Sequence, residues 1–381
     1  MSVAATDVLI VGGGIMGTSA AFFLRQRGRS VALLERGLVG QQASGVNFGN
    51  VRRQGRPLAQ LALSNRASDI WRRFGELTGE DVEYLQSGHL RVCYHDRPEL
   101  QVKMADYARD ARPLGLNLEM LAGTALQARF PFLGPEVLAG SYSAADGHAN
   151  PRLVAPAFAR AARRAGAMVH EQAEVSTVEK IGGDFHVVCR DGREFRAPVL
   201  LLAAGAWADR LSRQLGEPVP LSTHGPTMSV TEPVPYAIWP AVGVYTPIKL
   251  ESVYFRQIPR GNIIIGGSTR GTPSIELARA QVNPANILSQ LQQLRRLAPA
   301  LARLNIIRVW SGVEGYLPDD APVIGPSSRV SGLYYAFGFC GAGFQIGPGV
   351  GQTLAELIAT GTTAIDLTSY RISRFAEAPT P

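Results

Sequence analysis

Asp7-Val8-Leu9-Ile10-Val11-Gly12-Gly13-Gly14-Ile15-Met16-Gly17 is the stretch on which the fold turns. Val8 to Val11 is a continuous apolar run without polar alternation, the pattern of a strand buried on both faces of a parallel sheet. Gly12-x-Gly14-x-x-Gly17 then puts glycine at a tight turn, where backbone must approach a pyrophosphate, and where a helix must pack closely on a strand. Helix formers with an apolar face follow from Thr18 to Gln26, Gly28 ends the helix, and Ser30 to Leu34 reads as a second buried strand. The unit is a βαβ turn whose helix N-terminus offers free N–H groups and a positive dipole to phosphates.

Glu35 stands at the end of the second strand, 23 residues beyond Gly12. A carboxylate there accepts both hydroxyls of an adenosine ribose and disfavours a 2′-phosphate, although the adjacent Arg36 leaves a phosphorylated ribose open. A buried strand recurs at Ala197 to Gly205, after a hairpin-like Arg190-Asp191-Gly192. Helical patterns cover Leu61 to Leu77, Glu99 to Leu114, Pro151 to Ala165 and Pro284 to Leu297, and a strand is expected at Met168 to Val178. From Val219 to Gly267 β-branched and aromatic residues take over, as in Ser252-Val253-Tyr254-Phe255-Arg256. A second glycine cluster, Phe337 to Gly349, opens a final helix at Gly349 to Thr360. Such a turn aims several N–H groups at one concave surface and suits either the electron-rich end of a flavin ring or a second phosphate.

The expected fold is α/β, a Rossmann-type nucleotide-binding domain with a second α+β substrate domain on a mainly antiparallel sheet. Residues 1–80, 145–218 and 308–381 are assigned to the discontinuous nucleotide-binding domain, and 81–144 with 219–307 to the substrate domain. The chain of 381 residues has a formal charge of +7, but its basic residues are scattered; a nucleic-acid stripe is denser. Cys93, Cys189 and Cys340 form no CxxC pair, which supports neither a disulfide framework nor structural zinc and fits a reducing cytoplasm. The glycine-broken run Val8 to Leu24 is read as soluble structure rather than a membrane segment. The six histidines form no metal-like cluster, and His224 is the one placed to approach a site in the β-rich lobe.

With Ala43-Ser44-Gly45-Val46-Asn47-Phe48-Gly49-Asn50, Ala203-Ala204-Gly205-Ala206-Trp207 and the tail Gly338 to Gln345, nearly the whole chain resembles the D-amino-acid oxidase superfamily of FAD oxidoreductases. The Ser44 to Asn50 stretch is most similar to opine oxidase β subunits, the flavin subunit of hydrogen cyanide synthase and D-hydroxyproline dehydrogenases. The resemblance implies that Gly12, Gly14, Ile15, Met16, Gly17, Glu35 and Arg36 hold the nucleotide and that Ser44, Gly45, Asn47, Phe48 and Gly49 run past the flavin. It implies that Val175 meets the adenine, that Ala204, Gly205 and Trp207 lie along the pyrophosphate and ribityl, and that Gly341, Ala342, Gly343, Phe344 and Gln345 close over the pyrimidine end. The covalent cysteine of monomeric sarcosine oxidases aligns near Gly312, so non-covalent FAD is expected, with Gly312 beside it.

The implied chemistry is oxidation of a C–N bond in a small amine, D-amino acid, D-hydroxyproline or opine by hydride transfer, giving an imine that hydrolyses. A 2-hydroxy-acid dehydrogenase of the same fold and a non-catalytic FAD-bearing subunit are the alternatives. Partner subunits of a heteromeric dehydrogenase, and through them a membrane, are further expectations. Arg52, Arg256 and Lys249 are candidate carboxylate anchors, each of which also reads as a surface or inter-strand ion pair, Lys249 above all, and Tyr254 is a candidate hydrogen-bond donor. After Trp310-Ser311-Gly312 the family's usual arginine is absent and Glu314 stands nearby, so either another basic residue anchors the substrate or Glu314 faces a cationic group.

Overall fold

The computed structural model describes residues 4–375; the first three and last six residues of the expected nucleotide-binding domain lie outside them. Five strands run parallel in the order Leu333–Phe337, Val199–Leu202, Val8–Val11, Val31–Leu34, Met168–His170, with Val323–Pro326 antiparallel at the edge. The Val8–Val11 and Val31–Leu34 strands are buried at every position, as their unbroken apolar runs require, and their sequence separation is bridged by the helix Ile15–Gln26. That helix packs against Pro151–Arg164 and Gly343–Thr360. Its close approach to the last helix depends on missing side chains: a Cβ on Gly347 would lie 2.8 Å from Ile15 Cγ2, and one on Gly351 would overlap Ser19 Oγ.

The second layer is a ten-stranded, mainly antiparallel sheet built around the long strand Ser222–Pro233. One parallel pairing, Ala241–Val244 on His89–Tyr94, joins its two halves. The helix Pro284–Leu297, capped by the Asn283 side chain on the Ala285 N–H, covers it. Residues 306–311 and 314–316 pair with Ser222–Pro233, so this stretch belongs to the large sheet and not with the nucleotide-binding residues among which 308–316 were placed.

Several element boundaries differ from expectation: the strand expected at Met168 to Val178 is two strands of different sheets, Met168–His170 and Val175–Ile181. The region Leu61 to Leu77 breaks into Leu61–Arg72 and Phe74–Thr78. The last helix begins at Gly343, with Pro348 inside it; packing against Ile15–Gln26 and Leu61–Arg72 outweighs the hydrogen bond that Pro348 cannot donate. No helix among the described residues is long and apolar enough to cross a membrane.

The edge of the parallel sheet is tied by Glu217, which accepts hydrogen bonds from the Ser328 N–H at 2.9 Å, the Ser328 hydroxyl at 2.6 Å and the Tyr335 hydroxyl at 2.7 Å. Burial alone would raise this carboxyl, but the hydroxyl and amide donors hold it below its ordinary 4.5. A depressed folded-state value gives stability that is present above pH 4.5 and lost as pH falls through the lowered value. Glu217→Gln is expected to cost about 2 kcal/mol at neutral pH. In urea titrations the gap from the parent should close as pH is lowered from 7 toward about 3.

Candidate active site

The two layers enclose one cavity of about 730 Å³, toward the upper part of the range of roughly 300–1,000 Å³ usual for small-molecule sites. Its nucleotide end begins at the first glycine turn. Gly12 has φ 114°, and a Cβ there would overlap the Ala203 carbonyl oxygen, so the first turn can pass under the Val199–Leu202 strand only as glycine. The helix Ile15–Gln26 opens on Gly14, which has no side chain to cap it, and without an acid in its first turn, so its positive end faces the cavity. Ser44 Oγ accepts the Ile15 N–H at 2.9 Å. Glu35 accepts the Gly13 and Gly37 N–H groups, each at 2.7 Å, which fixes its carboxylate in the cavity wall. A cleft with an open helix N-terminus and an immobilised acid fits a dinucleotide with an unphosphorylated ribose.

Gly12, Gly14, Ile15, Met16, Glu35 and Arg36 all line this cavity. So do Val175, Ala204, Gly205 and Trp207; Arg36 lies 4.1 Å over the Trp207 ring, and the Trp207 indole donates to the Ile275 carbonyl at 3.0 Å. Ser44, Asn47, Phe48, Gly341, Gly343 and Phe344 line the cavity as well. Asn47 braces its own turn, donating to the Ala43 and Ser44 carbonyls and accepting the Gly49 N–H.

Other expected residues stand behind the wall. Gly17 supports the turn from below, where a Cβ would overlap the Gly12 oxygen. Gly45 is pressed against the Gly40 carbonyl, Gly49 against the Ala149 carbonyl, and Gly312 against Val46; none of the three lines the cavity. Ala342 is the cap residue before the last helix and Gln345 sits in its first turn. Gln345 turns away into the core, donating to the Ser64 carbonyl at 2.8 Å, while its own carbonyl accepts from Trp71 at 2.7 Å. The placement of Gln345 over the cofactor is thereby corrected, because the helix starts early enough to rotate it inward.

Arg256 is corrected most plainly. It is 3% exposed and donates to the Phe48 carbonyl at 2.7 Å and to His148 Nδ1 at 3.1 Å. Burial pushes its guanidinium down to about 9 and pushes His148 well below 6.5, with the Arg256 charge adding to the latter, so His148 is neutral and accepts. Arg256 holds the Phe48 segment from behind and does not line the cavity. Lys249 is exposed and does not line the cavity, nor does His224, whose ring packs edge-on against Tyr316 at 4.9 Å.

The lobe beyond Phe48 holds Arg52, Tyr254 and Glu314, together with three groups that spacing did not single out: Arg56, Arg91 and Tyr316. Tyr254 meets the Phe48 ring edge-on at 4.8 Å, and burial, with nearby Glu314, raises its phenol to about 12, so it remains a donor at neutral pH. Tyr316 donates to Glu314 Oε2 at 2.7 Å. Burial raises the Glu314 carboxyl above 4.5 against that hydrogen bond and the charges of Arg270 and Arg56. Burial lowers Arg56 to about 9 and Arg91 to about 10, with the Arg52 charge adding to both. Each of these arginines is stabilised by an arriving anion.

Residues 7–357 match the DAO family, described as FAD dependent oxidoreductase. The chain is 29% identical over 380 residues to glycine oxidase of Geobacillus kaustophilus (strain HTA426), spanning 97% of both chains. It is similar to the same degree to an opine oxidase subunit of Rhizobium meliloti, 29% over 380 residues and 97% of both. The solved structure of L-proline dehydrogenase from P. horikoshii aligns with a TM-score of 0.90 at 26% identity, over 98% of this chain and 99% of that one. With a family match that runs through both glycine turns and both sheets, the chain belongs to the DAO family of FAD-dependent oxidoreductases.

Proposed function

We propose that the protein oxidises the C–N bond of a small amino acid or related amine to an imine, which water hydrolyses to a carbonyl compound and an amine. The observation that carries this reading is the continuity of one cavity from Glu35 to the arginine-lined lobe at Arg52, which supports a carboxylate site beside a dinucleotide site. The names of the relatives, a glycine oxidase and a component of an opine oxidase, point the same way. Bound FAD, held without a covalent link, supplies the two-electron acceptor for the hydride.

Arg52, directly after the segment that flanks the cofactor, is assigned as the anchor of the substrate carboxylate. Its planar fork fixes both carboxylate oxygens and so the direction of the α-carbon hydrogen. The neighbouring guanidiniums disfavour a cationic amine, which promotes loss of the ammonium proton and frees the lone pair that assists hydride departure. The Tyr254 hydroxyl donates to the substrate, and Glu314 balances any positive group that remains. A partner chain receiving the electrons is part of the same proposal, suggested by one relative's being named as a subunit.

Product analysis with an artificial electron acceptor tests the reading. A keto acid and a released amine are expected from amino acids, whereas turnover of hydroxy acids alone contradicts it. Glu314→Gln is expected to lower kcat/KM about tenfold for substrates carrying an extra cationic group and to leave others unchanged. Because the carboxyl is raised, the parent should gain activity on those substrates as rising pH ionises Glu314, and the Gln variant should lack that limb. An unchanged substrate preference removes the role of Glu314.

A further inference from the structure

We propose that the substrate carries two carboxylates, and that Arg56 and Arg91 read the second one while Arg52 holds the first. The inference rests on the C–N reading only for where the substrate sits; the count of unused cation donors carries it.

Each guanidinium has five N–H donors. Arg91 donates no hydrogen bond among the described residues and lies 3.9 Å over the Tyr245 ring. Arg52 donates to the Gln54 carbonyl. Arg56 makes one long bond, 3.4 Å, to the Gly341 carbonyl, and its buried Nε has no partner. None of the three forms an ion pair among the described residues. The acid next to them, Asp146, is already taken: it accepts from Arg53 Nε at 3.2 Å and from the Arg53 and Gln54 N–H groups at 3.0 and 3.1 Å. Glu314 accepts from Tyr316 and forms no ion pair with any of the three among the described residues, although the Arg56 charge is felt at its carboxyl. His89, also in the wall, is held neutral by burial and by the three arginines.

The arginines are also held close to one another. Nη1 of Arg91 and Nη1 of Arg52 both crowd the position a Gly55 Cβ would take. Arg56 Nε is the donor among the three that is both buried and unpaired among the described residues; the other guanidinium N–H groups are partly buried and face the cavity, where an arriving anion can meet them. One carboxylate neutralises one of three charges and uses two to four of the free donors. A second carboxylate on the same small molecule takes up the donors of Arg56 and Arg91. An N-carboxyalkyl amino acid or an amino dicarboxylic acid has this form.

The test uses the FAD-loaded protein and two unreactive acids with the same carbon chain, valerate and glutarate, titrated by perturbation of the flavin spectrum. Glutarate is expected to bind about tenfold or more tightly than valerate, one added charge-assisted contact. Arg56→Gln and Arg91→Gln should each bring that ratio toward one while valerate affinity stays within about threefold. Equal affinities in the parent protein overturn the proposal without any variant, as does a ratio that both substitutions leave intact. Inorganic phosphate competing as well as glutarate also overturns it, since that points to one doubly charged group. Glutarate preference in a protein whose flavin no amine reduces would remove the C–N reading and leave the two-carboxylate site standing.

Discussion

Gly12→Val is expected to yield protein that no longer takes up FAD. The residue has φ 114°, and any Cβ would strike the Ala203 carbonyl, so a branched side chain is excluded twice, by backbone conformation and by the neighbouring strand. Strain and overlap together cost about 3 kcal/mol or more, which is more than about 100-fold in cofactor affinity if the turn deforms to relieve them. Gly28 is the control. It is also left-handed, at φ 74°, but has open space around the missing Cβ, so Gly28→Ala should cost roughly 1 kcal/mol of stability and keep the yellow colour. Flavin absorbance per polypeptide after desalting reads both variants.

Arg52→Met is the second large effect. It should retain FAD and lower kcat/KM for carboxylate-bearing amines by about 100-fold, with little change for amines that lack a carboxylate. Arg52→Lys should recover only part of the loss, because a point charge cannot reproduce the two-oxygen fork. Steady-state kinetics normalised to flavin content separates this from loss of cofactor. A similar fall for amines without a carboxylate would contradict the anchor assignment and make Arg52 a support of the cofactor cleft.

What the sequence reveals here follows the range of the interactions. The Gly12 turn, the strand that feeds it and Glu35 lie within one βαβ unit, where each residue's role follows from its immediate neighbours. The structure keeps that local geometry: the turn follows the strand, and Gly12 takes a conformation and a close approach that only a missing Cβ permits. Pro284–Leu297 was equally legible, since Asn before Pro marks its start. The last helix was not, because its start at Gly343 and its tolerance of Pro348 are set by two helices that pack on it from distant parts of the chain.

The substrate lobe was only half readable for the same reason. Arg52 is conspicuous because it follows the segment Ser44 to Asn50, which is expected to flank the flavin. Arg56 follows on the same loop, and Arg91 meets them only because the strand His89–Tyr94 runs beside that loop, where Gln54 donates to the His89 carbonyl, and nothing in its spacing shows this. Tyr254 and Arg256 occupy alternate positions of one strand and so share a face. The Phe48 segment covers one and leaves the other open, and a buried carbonyl at Phe48 then claims the guanidinium. Pattern alone could have flagged Arg91, a cation inside an otherwise apolar run, His89-Leu90-Arg91-Val92-Cys93.

The central claim is that this cavity holds FAD next to a site that presents an amine's C–N bond for oxidation. An anaerobic spectral titration of the yellow protein with N-carboxyalkyl amino acids, D-amino acids and matched hydroxy acids tests it most directly. Stoichiometric bleaching of the flavin by the amines is the predicted result. A protein that binds no flavin, or one whose flavin stays oxidised with every amine and is bleached by hydroxy acids, would contradict it.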